Sequence, residues 1–113
     1  METYSKRQEK VSKLLQQDIA NIFQKENQIF NGALITVTKV RISPDLSYAK
    51  VFVSIFVPGG NSDEIMQSIK DQTANLRYAL GKKIKNQVKK IPELAFFIDD
   101  SLDYIDNIEN LLK

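Results

Sequence analysis

Residues 48–57 alternate strictly: Ala49, Val51, Val53, Ile55 and Val57 occupy every second position. In extended backbone successive side chains point to opposite faces, so all five fall on one side. A strand with one apolar face needs both a neighbour and a covering layer. The neighbour lies just upstream. Residues 34–42 hold Ile35, Thr36, Val37, Thr38, Val40 and Ile42, β-branched side chains that favour a pleated surface. Ser43-Pro44-Asp45-Leu46-Ser47, between the two runs, is built from turn formers. The pair is expected to form an antiparallel hairpin.

Helices supply the cover. Val11, Leu14, Leu15, Ile19, Ile22 and Phe23 make one apolar stripe along a helix expected over 4–25, closed by an Asn31-Gly32 turn. Pro58-Gly59-Gly60 ends the hairpin, and Asn61 can cap a new helix with Glu64 in the capping-box position. From there Ile65, Ile69, Thr73, Leu76, Leu80, Ile84 and Val88 keep helical phase. Gly81 lies inside this stretch, where glycine costs about 1 kcal/mol against alanine. The expectation is therefore two helices meeting at a kink near Ala79-Leu80-Gly81. Ile91-Pro92 stops the second, and Leu94–Ile98 is a short third strand. Asp99-Asp100-Ser101 offers caps for a final helix carrying Leu102, Ile105, Ile108 and Leu112. The order is α-β-β-α-kink-α-β-α. The expected fold class is α+β: one domain over 1–113, with a three-stranded sheet packed against helices.

Composition removes whole classes of chemistry. The 113 residues include no cysteine and no histidine. Disulfides, thiolate sites, cysteine nucleophiles and histidine general bases are absent. No apolar run approaches the ~20 residues that span a bilayer, and the first residues are not a signal core. A soluble cytoplasmic protein is expected, with no membrane partner.

Net charge is only +2, but it is unevenly spread. Residues 61–92 carry 7 basic and 3 acidic side chains, whereas residues 93–113 carry 1 and 6. A basic middle beside an acidic end suits a face that meets a polyanion. At 100° per residue from Ile65, the apolar row centres near roughly 60°, and Lys82, Lys85 and Lys89 fall at about 260°, 200° and 240°. Lys83 and Lys90 flank them. On one helix this stripe would track a phosphate backbone, or simply be a solvated face. A bend at Ala79–Gly81 would also free backbone amides for an anion. Lys39, Arg41 and the cluster Lys6, Arg7 and Lys10 could extend the patch.

Phe52, Phe56, Phe96 and Phe97 lie on expected strands, where they serve a core better than a base-stacking platform. Asp99, Asp100, Asp103, Asp106 and Glu109 lack the ligand series of a calcium loop and fit helix caps and a solvated face better than a magnesium site. Pro58–Ser62 lacks the ending of a phosphate-binding loop. No enzyme and no cofactor or metal site is expected.

Four blocks carry a family resemblance. They are Arg7-x-x-Lys10-Val11, Val40-Arg41-Ile42-Ser43-Pro44-Asp45-Leu46-Ser47-Tyr48-Ala49-Lys50-Val51-Phe52-Val53-Ser54, Leu76-Arg77-Tyr78-Ala79-Leu80-Gly81-Lys82-Lys83-Ile84, and Ile91-Pro92-Glu93-Leu94-x-Phe96 with Asp99-Asp100-Ser101 beyond it. Over nearly its whole length the chain resembles the bacterial ribosome-binding factor A family. The resemblance implies a type II KH-like fold in which an Ala-x-Gly kink, here Ala79-Leu80-Gly81, replaces the Gly-x-x-Gly loop. It implies a non-enzymatic assembly factor that binds the free 30S small ribosomal subunit and 16S rRNA. It further implies support of late subunit maturation, including processing of the 16S rRNA 5′ end, and of cold adaptation. An assembly GTPase is implied as a partner for release, and a monomer is the expected state. The residues assigned to RNA are Arg77, Ala79, Gly81, Lys82, Lys83, Lys85, Lys89, Lys90, Lys39, Arg41, Lys6, Arg7 and Lys10. The rival reading is a KH-like protein-interaction module without direct RNA contact, in which the lysines only solubilise. Many family members carry a longer charged carboxyl-terminal tail. This chain ends at Lys113, so the resemblance does not carry that tail's role here.

Overall fold

The computed structural model describes residues 4–25, 30, 32–57 and 61–99. The expected final helix over 102–112 lies outside the described residues. Helix α1 spans Lys6–Lys25, strands β1 and β2 span Leu34–Ile42 and Tyr48–Phe56, helices α2 and α3 span Ser62–Asp71 and Thr73–Ile84, and β3 spans Glu93–Ile98.

Helix α1 begins with a reciprocal cap. The Ser5 amide donates to Gln8 Oε1 at 2.9 Å, and the Gln8 amide donates to Ser5 Oγ at 3.0 Å. Two amides that the helix leaves without partners are satisfied at once. Gln8 is buried, and its Nε2 donates to the Ile42 carbonyl at 3.0 Å, which fastens α1 to the end of β1.

The sheet order is β1-β2-β3, with β1 antiparallel and β3 parallel to β2. The parallel pairing follows from the α2–α3 crossover between the two strands. Alternation puts Ile35, Val37, Val40, Ile42, Ala49, Val51, Val53, Leu94 and Phe96 into a core shared with α1, α2 and α3. The β1–β2 register slips between Val37 and Lys39, so Thr38 is an extra residue, a bulge.

The hairpin turn is held by one carboxylate. Asp45 Oδ1 accepts from Ser43 Oγ and Ser47 Oγ, each at 2.7 Å, and from the Ser47 amide at 3.1 Å. Leu46 takes φ 62, in the left-handed region, and its amide closes the turn onto the Ser43 carbonyl at 2.9 Å. The Ser47 and Ser43 hydroxyls and the Ser47 amide favour the ionised carboxylate, which lowers the Asp45 pKa from 3.8 to about 2. A folded-state pKa below the unfolded one stabilises the fold above the unfolded value. That contribution is lost as pH falls from about 4 through about 2. Carboxyl-carbon NMR is expected to show Asp45 titrating near the lower limit. A midpoint at the ordinary aspartate value would contradict the turn geometry.

The expected kink at Ala79-Leu80-Gly81 is not where the helices part. Helix α3 runs through all three residues, and the break falls at Gln72, with φ −95 and ψ 6. The Gln72 amide is shared among the Ser68, Ile69 and Lys70 carbonyls, and Thr73 Oγ1 donates to the Ile69 carbonyl at 3.1 Å. A turn with its amide shared in this way bends the chain without disturbing apolar phase. The expected continuation of this helix to Val88 is also corrected. Helix α3 ends at Ile84, and Lys85–Gln87 form a hydrogen-bonded turn after it.

Candidate nucleic-acid interface

Helix α3 buries Leu76, Leu80 and Ile84, one residue per turn. Its opposite side carries Ala74, Arg77, Tyr78, Gly81 and Lys82, again at helical spacing. Ala74 and Gly81 are small, so this side is concave rather than ridged. After Ile84 the chain turns, with the Gln87 and Val88 amides donating to the Ile84 carbonyl at 2.8 and 3.1 Å. It then returns along α3 toward Pro92, which is buried. Proline removes an amide donor and disfavours helix in the residue before it, so no helix runs through Ile91 into Pro92.

Arg77 fixes the return. Its Nε donates to the Pro92 carbonyl at 3.0 Å and its Nη2 to the Ile91 carbonyl at 2.7 Å. The Glu93 amide donates to the Ser47 carbonyl at 2.9 Å, which starts β3 beside the hairpin turn. A groove of about 730 Å³ results, lined by Arg77, Lys82 and Lys85 from one side and Lys89 and Lys90 from the other, with no carboxylate in its lining. A smaller groove of about 200 Å³ shares Lys89 and Lys90 and adds Arg7 beside the Asp45 carboxylate; a third, about 520 Å³, joins Arg7 to Lys10. The basic surface therefore runs from α3 round the Lys85–Lys90 turn to the start of α1.

Several assigned residues stand apart from the groove. Lys83 is exposed but lines none of the three grooves, and Lys6 likewise. Ala79 is half-buried against the core. The amides at Ala79–Gly81 lie within a continuous helix, so the free-amide anion site is corrected: the helix itself uses those donors. Lys39 and Arg41 are on β1, where Lys39 Nζ stands 4.6 Å above the Phe52 ring and the Arg41 guanidinium 4.1 Å above the Tyr4 ring. Asp99 accepts from Thr38 Oγ1, and the helix it is expected to cap lies outside the described residues. Among the described residues no three His, Cys, Asp or Glu side chains gather to hold a metal ion.

Tyr78 escaped the sequence reading. It is 68% exposed in the large groove, with Lys82 Nζ 4.7 Å above its ring. The i, i+4 spacing to Lys82 was the available signal.

Gly81 serves its own chain. A Cβ built there would meet Ile91 Cγ1 at 3.4 Å, an ordinary contact, and its φ is not positive. Gly81→Ala is therefore expected to raise stability by about 0.5–1 kcal/mol through helix propensity. Urea denaturation checks this. A loss of stability would mean that the Ile91 contact is tighter than the geometry indicates.

Comparison with known proteins gives one consistent result. The profile of the ribosome-binding factor A family matches residues 7–112. Ribosome-binding factor A of Christiangramia forsetii is 40% identical over 109 residues, which cover 95% of this chain and 82% of the relative. That of Chlorobaculum parvum is 42% identical over 107 residues, covering 95% and 88%. In three dimensions the chain is similar to the crystal structure of ribosome-binding factor A from Thermus thermophilus, with TM-score 0.65, 22% identity and coverage of 80% and 94%. It is also similar to coordinates of that protein fitted into a cryo-EM map of its 30S complex, with TM-score 0.62, 24% identity and coverage of 77% and 89%.

Proposed function

The chain belongs to the ribosome-binding factor A family, and from that premise we propose that it binds the free 30S subunit by laying its cationic groove along 16S rRNA. The observation that carries this reading is the convergence of Arg77, Lys82, Lys85, Lys89 and Lys90 on one concave surface with no carboxylate in its lining. Lysines on a concave surface recognise phosphate spacing rather than base edges, so shape selects the site. Tyr78 adds a ring on which an unpaired base can stack. Occupying that site holds part of the rRNA in an immature path and supports late maturation, including processing of the 5′ end and growth in the cold. The protein acts as a binding factor rather than an enzyme, in the cytoplasm, as a monomer. An assembly GTPase prompts its release.

Counterion release gives the test. If the groove neutralises about five phosphates, log affinity for small subunits falls against log salt with a slope of roughly −3.5 to −4.5. Titration of labelled protein with 30S subunits over a salt series measures it. A slope near zero would overturn groove-mediated phosphate binding.

A further inference from the structure

The three helices share the core with one face of the sheet, and the other face keeps large apolar side chains exposed, with Tyr4 against Arg41 at its margin. That outward face is both apolar and basic. Lys39, Phe52 and Phe97 stand side by side across the three strands, and Arg41, Lys50 and Ala95 form the neighbouring row. The Phe52 and Phe97 ring centroids are 5.7 Å apart, and Phe97 is 41% exposed. Leu34 and Phe56, paired in register, are 63% and 61% exposed. A face of this kind marks an interaction surface.

The exit of the chain from β3 indicates what occupies it. The Asp99 amide donates to the Val53 carbonyl of β2 at 2.8 Å, and the Asp99 carboxylate accepts from Thr38 Oγ1 of β1. The chain thus leaves β3 already tied across the sheet. Thr38 is the bulge residue, and its hydroxyl also reaches the Phe52 carbonyl at 3.2 Å. Fourteen residues follow Asp99. Outer strands of a three-stranded sheet lie about 10 Å apart, so this length crosses the face in any backbone form. The segment carries Leu102, Ile105, Ile108 and Leu112 at helical spacing, with Asp103, Asp106 and Glu109 between them. Its apolar stripe and acidic charge complement Phe52 and Phe97 beside Lys39, Arg41 and Lys50.

We propose that residues 100–113 dock on the outward face of the sheet, apolar stripe on Phe52 and Phe97, carboxylates toward Lys39 and Lys50. The short tether raises the local concentration of the segment to the millimolar range or about that, so modest contacts suffice. Docking covers the aromatic pair and leaves the α3 groove as the open basic surface. This inference is independent of the proposed function, because it concerns the opposite side of the molecule.

The absence of cysteine makes the test clean. Asn107→Cys in the full chain places a nitroxide label away from the apolar stripe. Amide signals of Lys39, Lys50, Phe52 and Phe97 should lose more than half their intensity, while those of α1 residues Lys13 and Gln17 stay bright. Combining Asn107→Cys with Lys39→Glu and Lys50→Glu should restore the face signals. Equal or no broadening across the two sides would overturn the proposal. So would single-stranded RNA that shifts the face amides while the label effect is absent, which would make the face an RNA platform instead.

Discussion

Reversing Lys82, Lys85 and Lys89 to glutamate is expected to weaken 30S binding by about 100-fold or more, roughly 3 kcal/mol, and to leave the fold intact. The three side chains are exposed and line one groove, so reversal both removes and repels at adjacent phosphates. Exposed charges away from buried networks alter stability by only about 0.5 kcal/mol each. The comparison that isolates geometry is a second triple reversal at Lys13, Lys25 and Lys70, which are exposed and line none of the three grooves. Both variants change net charge equally. If both lose affinity to the same extent, overall charge rather than the groove governs binding. If the groove triple binds as well as the native protein, RNA is not read by this surface.

The second large effect concerns stability. Arg77→Ala should cost about 2 kcal/mol, because the Ile91 and Pro92 carbonyls lose charged donors at 2.7 and 3.0 Å. Arg77→Lys should recover only part of this, since one ammonium cannot reproduce the planar fork that spans two carbonyls. Urea denaturation with an unchanged m-value checks the figure. A loss below about 0.5 kcal/mol, within the range of ordinary surface substitutions, would mean that water replaces the guanidinium at both carbonyls. The same variant tests the architecture of the groove, since Arg77 holds the segment that brings Lys89 and Lys90 back to α3.

The hairpin, the third strand and the helical cover were legible because they rest on local periodicity. Ala49, Val51 and Val53 are wholly buried, as their alternation requires. Sequence pattern misplaced the break between the helices for a specific reason. Ile69, Thr73 and Leu76 keep phase across Gln72, and a shared amide bends the chain without shifting that phase. Gly81 drew the expected kink, yet it lies in unbroken helix within α3, where a Cβ would make only an ordinary contact with Ile91. The lysines were found but placed on a single helix; α3 ends at Ile84, the chain turns there, and the groove arises from its return toward Pro92. Arg77 was assigned to RNA on family resemblance alone. Its hydrogen bonds to backbone carbonyls more than a dozen residues away leave no trace in composition or spacing.

Co-sedimentation of the native chain with purified 30S subunits, large subunits and whole ribosomes, at low and high salt, tests the central claim most directly. The account predicts retention on free 30S subunits alone, lost as salt rises. Equal retention on all three particles, or salt-insensitive retention on 30S subunits, would contradict a groove that recognises the small subunit through its rRNA phosphates.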